Sequence, residues 1–189
     1  MIIPVDLAKA YRMLNHGPVT LVSSAHGDQR NVMAAAWAMP LDFSPPKVAV
    51  VIDKQTFTRG LVEASGEFVL NIPARGIAAQ VIAAGGRSGR AGDKFDALGL
   101  ATLPSAVVAA PRVAGCVGWL ECRVIREPHN EQAYDLFLGE VVAAAADARV
   151  FRDGHWLFDE ATDPNLRTLH YVAGGQFYAT GDSLQVASD

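Results

Sequence analysis

Hydrophobic and polar positions alternate in short runs along most of the chain, a pattern typical of β-strands with one face in a core. Turn residues such as Gly, Asp and Pro separate these runs, and Asp153-Gly154 reads as a tight hairpin turn. The segment 40–46 (PLDFSPP) reads as a loop. Strands are predicted over 19–24, 31–39, 47–53, 67–72, 117–126, 135–145, 150–151 with 155–158, and 176–179.

Helical periodicity is confined to three short segments. The segment 6–15 places Leu7, Ala10, Tyr11 and Leu14 on one face, 56–65 begins with a capping threonine, and 76–84 is a small helix. Strands and long helices do not alternate regularly, which argues against a doubly wound sheet. We therefore predict one domain over residues 1–189, mainly β with peripheral helices, built as a closed antiparallel barrel.

Composition narrows the functional classes. The formal net charge of -4 and pI near 5.7 argue against a nucleic-acid partner, since binding phosphates needs clustered Lys and Arg. No apolar run reaches the roughly 20 residues that span a bilayer, and the start of the chain does not read as a secretory signal. Cys116 and Cys122 lie in one segment that reads as a strand, which would place them about 20 Å apart, too far for a disulfide. We expect a cytoplasmic protein with no membrane segment.

The sequence does not support a serine hydrolase site or a metal site. The string Gly181-Asp182-Ser183-Leu184 matches one used by serine hydrolases, but no His follows it in this sequence to act as the base that activates the serine. The histidines fall in no metal-ligand spacing, and no C-x-x-C accompanies them, so no metal site is expected. They are His16, His26, His129, His155 and His170.

Two segments remain as candidates for binding. The glycine-rich segment 85–94 carries Arg87, Arg90 and Lys94 and is either a solvated connector or a site for an anionic group. The segment 31–39 has small residues on both faces, so a flat molecule could approach the sheet there. A tightly packed alanine strand inside a core would look the same.

Motifs along most of the chain point in one direction. In order they are N-x-M-x-x-x-W (31–37), S-P-P (44–46), K-Q-T-x-T (54–58), G-E-F-V-L-N-I-P (66–73), G-D-K-F (92–95), L-E-C-x-V (120–124), L-G-E-V-V (138–142) and G-G-Q-F-Y (174–178). This combination resembles the flavin reductase-like family, in particular its flavoredoxin-like branch. The resemblance implies an FMN-binding split β-barrel, antiparallel and Greek-key-like. It also implies a homodimer that holds non-covalent FMN near the subunit boundary.

The resemblance assigns residues to the flavin ring and to its phosphate. The ring would be lined by Asn31, Val32, Met33, Ala34, Ala35, Ala36 and Trp37, although Trp37 could instead be a core residue. The phosphate would be held by Lys54, Gln55, Thr56 and Thr58. A strand that runs into a helix start offers free amides and the positive end of a dipole, which independently suits a phosphate. The threonines could also serve only as helix caps.

Further contacts are implied near the glycine-rich segment and the end of the chain. Lys94 occupies the position of a lysine that approaches the flavin and would stabilise its anionic reduced form, so it is the one candidate catalytic residue. Ser88, Arg90 and His129 are additional candidate contacts. Phe177 and Tyr178 either stack over the flavin or merely seal the barrel.

The implied activity is that of an NAD(P)H-dependent FMN oxidoreductase that passes hydride from the nicotinamide to the flavin. Because the cofactor supplies this chemistry, no catalytic acid–base constellation is required. One alternative is a flavoredoxin-like FMN carrier that exchanges electrons with a partner protein without free-flavin turnover. Another is a structural or regulatory barrel without cofactor. The sequence leaves four points open: the choice between NADH and NADPH, the final electron acceptor, whether a monooxygenase is a partner, and how tightly FMN binds.

Overall fold

The computed structural model describes residues 3–186, and most of its strands form one antiparallel sheet. The strand order is β2-β1-β5-β8-β9-β4-β3. The seven strands are β1 (Thr20–His26), β2 (Gln29–Ala35), β3 (Ala38–Phe43), β4 (Pro46–Val51), β5 (Glu67–Pro73), β8 (Cys116–Ile125) and β9 (Leu136–Ala146). The two edge strands, β2 and β3, are joined only by Ala36 and Trp37. The sheet must therefore curl into a barrel that stays split at this seam.

Short elements surround the barrel. The α-helices are α1 (Phe57–Ser65), α2 (Ala78–Gly86), α3 (Lys94–Leu98) and α4 (Pro128–Tyr134). Turns of 3₁₀ helix cover Leu7–Met13, Arg75–Ile77, Gly89–Ala91 and Pro164–Leu166. Three small hairpins pair β6 (Thr102–Leu103) with β7 (Arg112–Val113), β10 (Phe151–Arg152) with β11 (His155–Trp156), and β12 (Leu169–Ala173) with β13 (Gln176–Ala179). None of the helices within residues 3–186 is both long and apolar enough to span a membrane.

Side chains from both faces of β1 are buried. Leu21 packs in a cluster with Val32 and residues of α2 and α3, whereas Val22 packs in a second cluster around Phe68 and Phe137. Successive side chains of a strand point to opposite faces, so β1 separates the two clusters. This double burial accounts for the unbroken run of buried residues at 19–24.

The first helix differs from its prediction. Residues Leu7–Met13 form a 3₁₀ helix with no buried side chain, and Leu7 and Leu14 of the predicted apolar face are exposed. The segment is tied to the barrel by Asn15, whose side chain donates to Val172 O at 2.9 Å and accepts from Trp37 Nε1 at 2.7 Å. Leu7 and Leu14 therefore join no core cluster within residues 3–186, whereas Tyr11 of the same face packs edge-to-face on Trp37.

The predicted strand 31–39 and loop 40–46 are also corrected. The strand breaks after Ala35 and resumes as β3 from Ala38 to Phe43, across the segment that was predicted to be a loop. The break is the seam of the barrel. Pro40 is tolerated because β3 is an edge strand, and the pairing register shifts between Pro40 and Asp42.

The sequence analysis missed two α-helices and three β-strands of the described structure, α3, α4, β6, β7 and β12. Helix α4 begins with Pro128 at its first turn and ends at Asp135, which has a positive φ of 55°. Proline at this position is a recognised helix-start signal. Strand β12 was also missed, and it pairs with the predicted strand at 176–179.

Candidate functional site

Three cavities adjoin along β2 and share Ala34 in their walls. We call them the loop pocket (about 360 Å³, with Thr56, Ser88 and Lys94 in its wall), the lid pocket (about 440 Å³, with Tyr11 and Trp37) and the aromatic pocket (about 410 Å³, with Tyr171 and Phe177). Each volume lies in the range of small-molecule sites. Together they form one branched cleft.

Small side chains form the floor of the cleft where its branches meet. Met33 and Ala34 face the loop and lid pockets, and Ala36 faces the lid and aromatic pockets. Ala35 contributes to the lid pocket, whereas the side chain of Val32 is fully buried in the core. Small side chains of this segment thus line the cleft, and Val32 takes part only through its carbonyl oxygen, which accepts from Lys94 Nζ.

The loop pocket lies where the end of β4 runs into α1. Thr56 caps this helix: its Oγ1 accepts from Arg59 N at 3.2 Å and donates to Asp53 O at 2.7 Å. The amides of the first helical turn have no partner within the helix and carry the positive end of its dipole. Gln55 and Thr58 also line the pocket. This end of the cleft therefore suits an anionic group.

Arg59 fixes the start of α1, and sequence reasoning missed it. Its side chain is 3% exposed. The guanidinium donates to Ile52 O at 3.0 Å, to Asp135 Oδ1 at 3.1 Å, to Glu131 O at 2.9 Å and to Glu63 Oε1 at 2.6 Å. It thereby ties the helix to the end of β4 and to α4, which holds the loop pocket in shape.

The cations near the loop pocket are not all those predicted. Arg87 lies in its wall, whereas Arg90 donates to Gln55 O at 2.8 Å and lines a separate hollow. Lys54 is exposed and lines none of the three pockets, because the carboxylate of Asp53 accepts the Gln55 amide at 2.7 Å and turns the chain there. Ser88 is in the wall as predicted. Of the three bases that the glycine-rich segment offered to an anionic group, Arg87 and Lys94 line the pocket and Arg90 does not.

Lys94 is buried at the inner end of the loop pocket, with 4% of its surface exposed. Its Nζ donates to Val32 O at 2.9 Å and to Ala84 O at 2.7 Å, which uses two of its three donors. Within residues 3–186 no carboxylate forms an ion pair with it. Burial lowers the pKa of Lys94 below its usual range. A neighbouring anion would offset this desolvation.

The backbone from which Lys94 extends is held by an ion pair that sequence reasoning missed. Asp93 caps α3 by accepting from Phe95 N at 2.7 Å, and its other oxygen binds Arg30 Nε at 2.6 Å. Burial alone would raise the pKa of Asp93, but Arg30 and the Phe95 amide outweigh it and hold the pKa below its usual range. Arg30 also binds Asp96 at 3.1 Å. The first turn of α3 is thereby fixed on β2.

Asn31 presents an unpaired acceptor beside the loop pocket. Its side chain is 1% exposed, its Nδ2 donates to Thr58 Oγ1 at 2.8 Å, and its buried Oδ1 has no hydrogen-bond partner within the described residues. Gly89 packs so close that a methyl group there would collide with Asn31 Oδ1 and with the ring of Phe57. An unsatisfied buried acceptor is costly. A ligand hydroxyl, such as one on a ribityl chain, would satisfy it, so Asn31 fits FMN.

Trp37 stands in the wall of the lid pocket. The side chain is 54% exposed, so the alternative that it is a core residue is wrong. The ring of Tyr11 meets it edge-to-face with centroids 6.0 Å apart, and Asn15 accepts from its indole nitrogen. Arg12 is the one cation in this wall within the described residues. The segment Leu7–Met13 thus covers this branch of the cleft.

The predicted aromatic pair near the end of the chain is divided between two faces. Phe177 lines the aromatic pocket and packs edge-to-face on Tyr171, with centroids 5.4 Å apart. Tyr178 is opposite His170 in the hairpin and lines another cavity of about 720 Å³. Adjacent strand residues point to opposite faces, so Phe177 and Tyr178 of one chain cannot both cover the same flavin.

His129 is likewise outside the cleft. It lies on α4, where its ring meets Tyr134 edge-to-face at 5.7 Å, and it lines none of the three pockets. The structure therefore gathers Asn31, the small residues, Trp37, the helix start, Ser88, Lys94 and Phe177 around the cleft, and leaves Lys54, Arg90, His129 and Tyr178 outside it.

Comparisons with known proteins give consistent results. A family model described as the flavin reductase like domain matches residues 12–174. An uncharacterized Escherichia coli protein, YddH, is 44% identical over 182 residues, which are 95% of each chain.

Two solved structures extend these similarities. The crystal structure of an FMN-binding domain of a flavin reductases-like enzyme from Shewanella baltica is 47% identical, with 97% of this chain and 96% of that chain covered and a TM-score of 0.86. The flavoredoxin of Desulfovibrio vulgaris (Miyazaki F) is 30% identical, with 90% of both chains covered and a TM-score of 0.77. The predicted mainly-β split barrel is confirmed.

Proposed function

Because the chain belongs to the flavin reductase-like family, we propose that it binds FMN non-covalently in the cleft and that NAD(P)H reduces the bound flavin by hydride transfer. The observation that carries the proposal is the arrangement around Ala34. An amide-rich pocket with Arg87 and Lys94 joins a surface of small side chains there. The cleft thus has one region that suits the phosphate of FMN and another that suits its flat ring. The Shewanella baltica structure is described as FMN-binding, which supports this choice of ligand.

The chain's own residues would bind and orient the cofactor. The start of α1, with Gln55 and Thr56, would receive the phosphate together with Arg87. Asn31 Oδ1 would accept a ribityl hydroxyl, and the ring would lie on the small residues of β2. FMN would supply the redox chemistry itself.

Lys94 would act as a fixed positive charge near the cofactor and not as an acid or base. Its two carbonyl contacts hold the ammonium in place, and its burial keeps water from screening the charge. A cation in such a place favours the anionic reduced form of a flavin. This role needs no proton transfer from Lys94.

The lid pocket supports a nicotinamide nucleotide as electron donor. It opens on the same small-residue floor, and Arg12 in its wall is a cation that could meet a nucleotide phosphate. We propose that the donor enters here, beneath the segment Leu7–Met13, and that a partner protein such as a monooxygenase or another acceptor takes the electrons onward. Cys116 and Cys122, which are unpaired and buried, support the cytoplasm as its location.

A homodimer is part of the proposal. Met39, Leu41 and Phe43 project from edge strand β3 with 57%, 46% and 92% of their surface exposed. Contiguous exposed apolar side chains of this kind mark an association surface. His129 and Tyr178 lie outside the cleft of their own subunit, so either would have to reach a flavin across a subunit boundary.

Flavin titration and reduction test this function. Quenching of flavin fluorescence should show tighter binding of FMN than of FAD, and NADH or NADPH should bleach the bound flavin in an absorbance experiment. Binding of neither flavin would contradict the proposal and favour a barrel without cofactor. Tight FMN binding without bleaching would contradict the hydride-transfer step alone.

A second function, electron carriage, is favoured by the similarity to the Desulfovibrio vulgaris flavoredoxin. In that case bound FMN would exchange electrons with a partner protein, and excess free FMN would not be turned over. Steady-state NAD(P)H oxidation with free FMN in excess separates the two functions: sustained turnover identifies a flavin reductase, whereas a single bleaching event identifies a carrier.

A further inference from the structure

The aromatic pocket is the branch of the cleft that the proposed function leaves unassigned. It meets the lid pocket at Ala34 and Ala36 and the loop pocket at Gly85 and Gly86. A molecule bound in it would therefore lie directly beside whatever lies on the small-residue floor. Its volume of about 410 Å³ leaves room for a fused two-ring compound.

The chemistry of its walls is apolar. None of the described residues that line it carries a charge, and Tyr171 contributes its only side-chain hydroxyl. Ile82 of α2 is 41% exposed and faces this space opposite the hairpin aromatics. Such a surface favours an apolar ring and disfavours an anion, which would be desolvated without a partner.

The aromatic wall is held in place by the backbone. Tyr171 and Phe177 are directly opposite each other in the antiparallel pair β12–β13, and their rings meet at 62° with centroids 5.4 Å apart. Phe177 also packs against the core cluster that contains Val19 and Val81. A wall fixed in this way is ready to stack on or cover a flat ligand without first being ordered.

We propose that the aromatic pocket binds the uncharged, flat ring of an aromatic or quinoid small molecule, which would be the second substrate of the flavin site. Its place as a second substrate rests on the proposed FMN function, whereas its binding chemistry rests on the pocket alone. The charged parts of a dinucleotide have no counterion in this branch, because Arg12, Arg87 and Lys94 all lie in the other two. The pocket thus selects against the electron donor and for a neutral acceptor.

The test uses two redox-inert probes with the same ring system, 2-naphthol and naphthalene-2-sulfonate. Their binding is measured by calorimetry to FMN-loaded and to FMN-free protein. We expect 2-naphthol to bind both forms and the sulfonate to bind at least about tenfold more weakly. Equal binding of the two probes, or binding of neither, would overturn the pocket assignment.

Two variants test where the probe binds. Phe177→Ala should weaken 2-naphthol about tenfold or more, and Ile82→Lys should reverse the preference in favour of the sulfonate. Trp156→Ala, which removes an aromatic from the cavity on the other face of the hairpin, is the matched control and should leave both affinities unchanged. A loss in Trp156→Ala equal to that in Phe177→Ala would place the probe outside the aromatic pocket and overturn the inference.

Failure of the proposed function would look different. FMN affinity is measured separately by fluorescence, so a protein that binds 2-naphthol with the expected variant pattern but does not bind FMN would uphold the pocket and refute the flavin function. A protein that binds FMN but shows no preference for the neutral probe would refute the pocket alone.

Discussion

Replacing Arg87 by Ala should weaken the binding of FMN and leave the binding of riboflavin unchanged. Arg87 is the exposed cation in the wall of the loop pocket, next to the capped start of α1. Riboflavin lacks the phosphate, so it should not sense the loss of a guanidinium at this end of the cleft. The two ligands thus separate a phosphate contact from damage to the fold.

The expected loss follows from the exposure of Arg87. A hydrogen bond to a charged group contributes about 1.5 to 3 kcal/mol when protected from water. An exposed ion pair contributes about 0.2 to 1 kcal/mol. Because the pocket shields one side of Arg87 and leaves the other in solvent, we expect about 1 to 2 kcal/mol. This range corresponds to a rise in Kd of about 5- to 30-fold, and added salt should shrink it.

The assay is a fluorescence titration of FMN and riboflavin at two salt concentrations. Arg152→Ala removes an exposed arginine on β10 that lines none of the three pockets, and it controls for the change in net charge. Lys54→Ala tests the alternative, implied by the family motif, that Lys54 holds the phosphate. A larger loss in Lys54→Ala than in Arg87→Ala, or an equal loss for FMN and riboflavin, would refute the reasoning.

Four further outcomes are expected. Lys94→Met should lower the reduction potential of bound FMN and slow its reduction by about 10- to 1,000-fold, which is the effect of losing one preorganised electrostatic donor. Potentiometry measures the potential and stopped-flow absorbance measures the rate. If neither changes, Lys94 has only a structural role. Gly89→Ala should weaken FMN more than tenfold because a methyl group there displaces Asn31, and an unchanged affinity in fluorescence titration would show that the loop yields. Phe43→Glu should dissociate the proposed dimer in light scattering, since it buries a charge in an apolar contact; an unchanged mass would place the interface elsewhere. Glu121→Gln should lower the unfolding free energy at pH 7 by about 2 to 3 kcal/mol, as measured in urea melts. The difference between the two proteins should shrink as the pH falls through the lowered pKa of Glu121. A carboxylate whose pKa is lower in the folded state stabilises the fold fully above its unfolded pKa and loses that stabilisation as the pH falls to its folded pKa.

The last of these rests on a buried carboxylate. Glu121 is 2% exposed and accepts from the amides of Ala106, Val107 and Val108 at 2.8, 2.7 and 3.2 Å. Burial alone would raise its pKa, but these amides and Arg112 outweigh burial, and the pKa is lowered. A glutamine can offer only one carbonyl oxygen, so at least one buried amide would lose its acceptor.

The strands with buried faces could be predicted from sequence because their apolar patterns reflect burial directly. Strands β4, β5, β8 and β9 lie close to their predicted bounds. The seam between β2 and β3 could not be predicted, since Ala36 and Trp37 have no turn chemistry and the bend is imposed by closure of the barrel. The first helix differs for the opposite reason: its pattern is amphipathic, but Leu7 and Leu14 stay exposed in the part of the chain that the structure describes.

The site was predictable where it depends on local backbone and not where it depends on side-chain direction. The small residues of β2 and the cap at Thr56 are local features, and both line the cleft. Whether Lys54, Arg87 or Arg90 reaches the loop pocket depends on one Asx turn and one hydrogen bond to Gln55 O, which no spacing rule specifies. Arg59 was missed because its partners come from distant segments of the chain.

The loop pocket and the aromatic pocket are built by different elements, so binding of the cofactor phosphate and binding of a second substrate would depend on different parts of the chain. The loop pocket depends on the β4–α1 junction and the glycine-rich segment, while the aromatic pocket depends on the β12–β13 hairpin and α2. Only the floor around Ala34 and the glycines at the end of α2 are common to both. Among the described residues, charged side chains line the loop pocket and none lines the aromatic pocket, so under the proposed function a change in acceptor selectivity need not alter cofactor affinity. Such a division would let one scaffold keep its flavin while its second substrate changes.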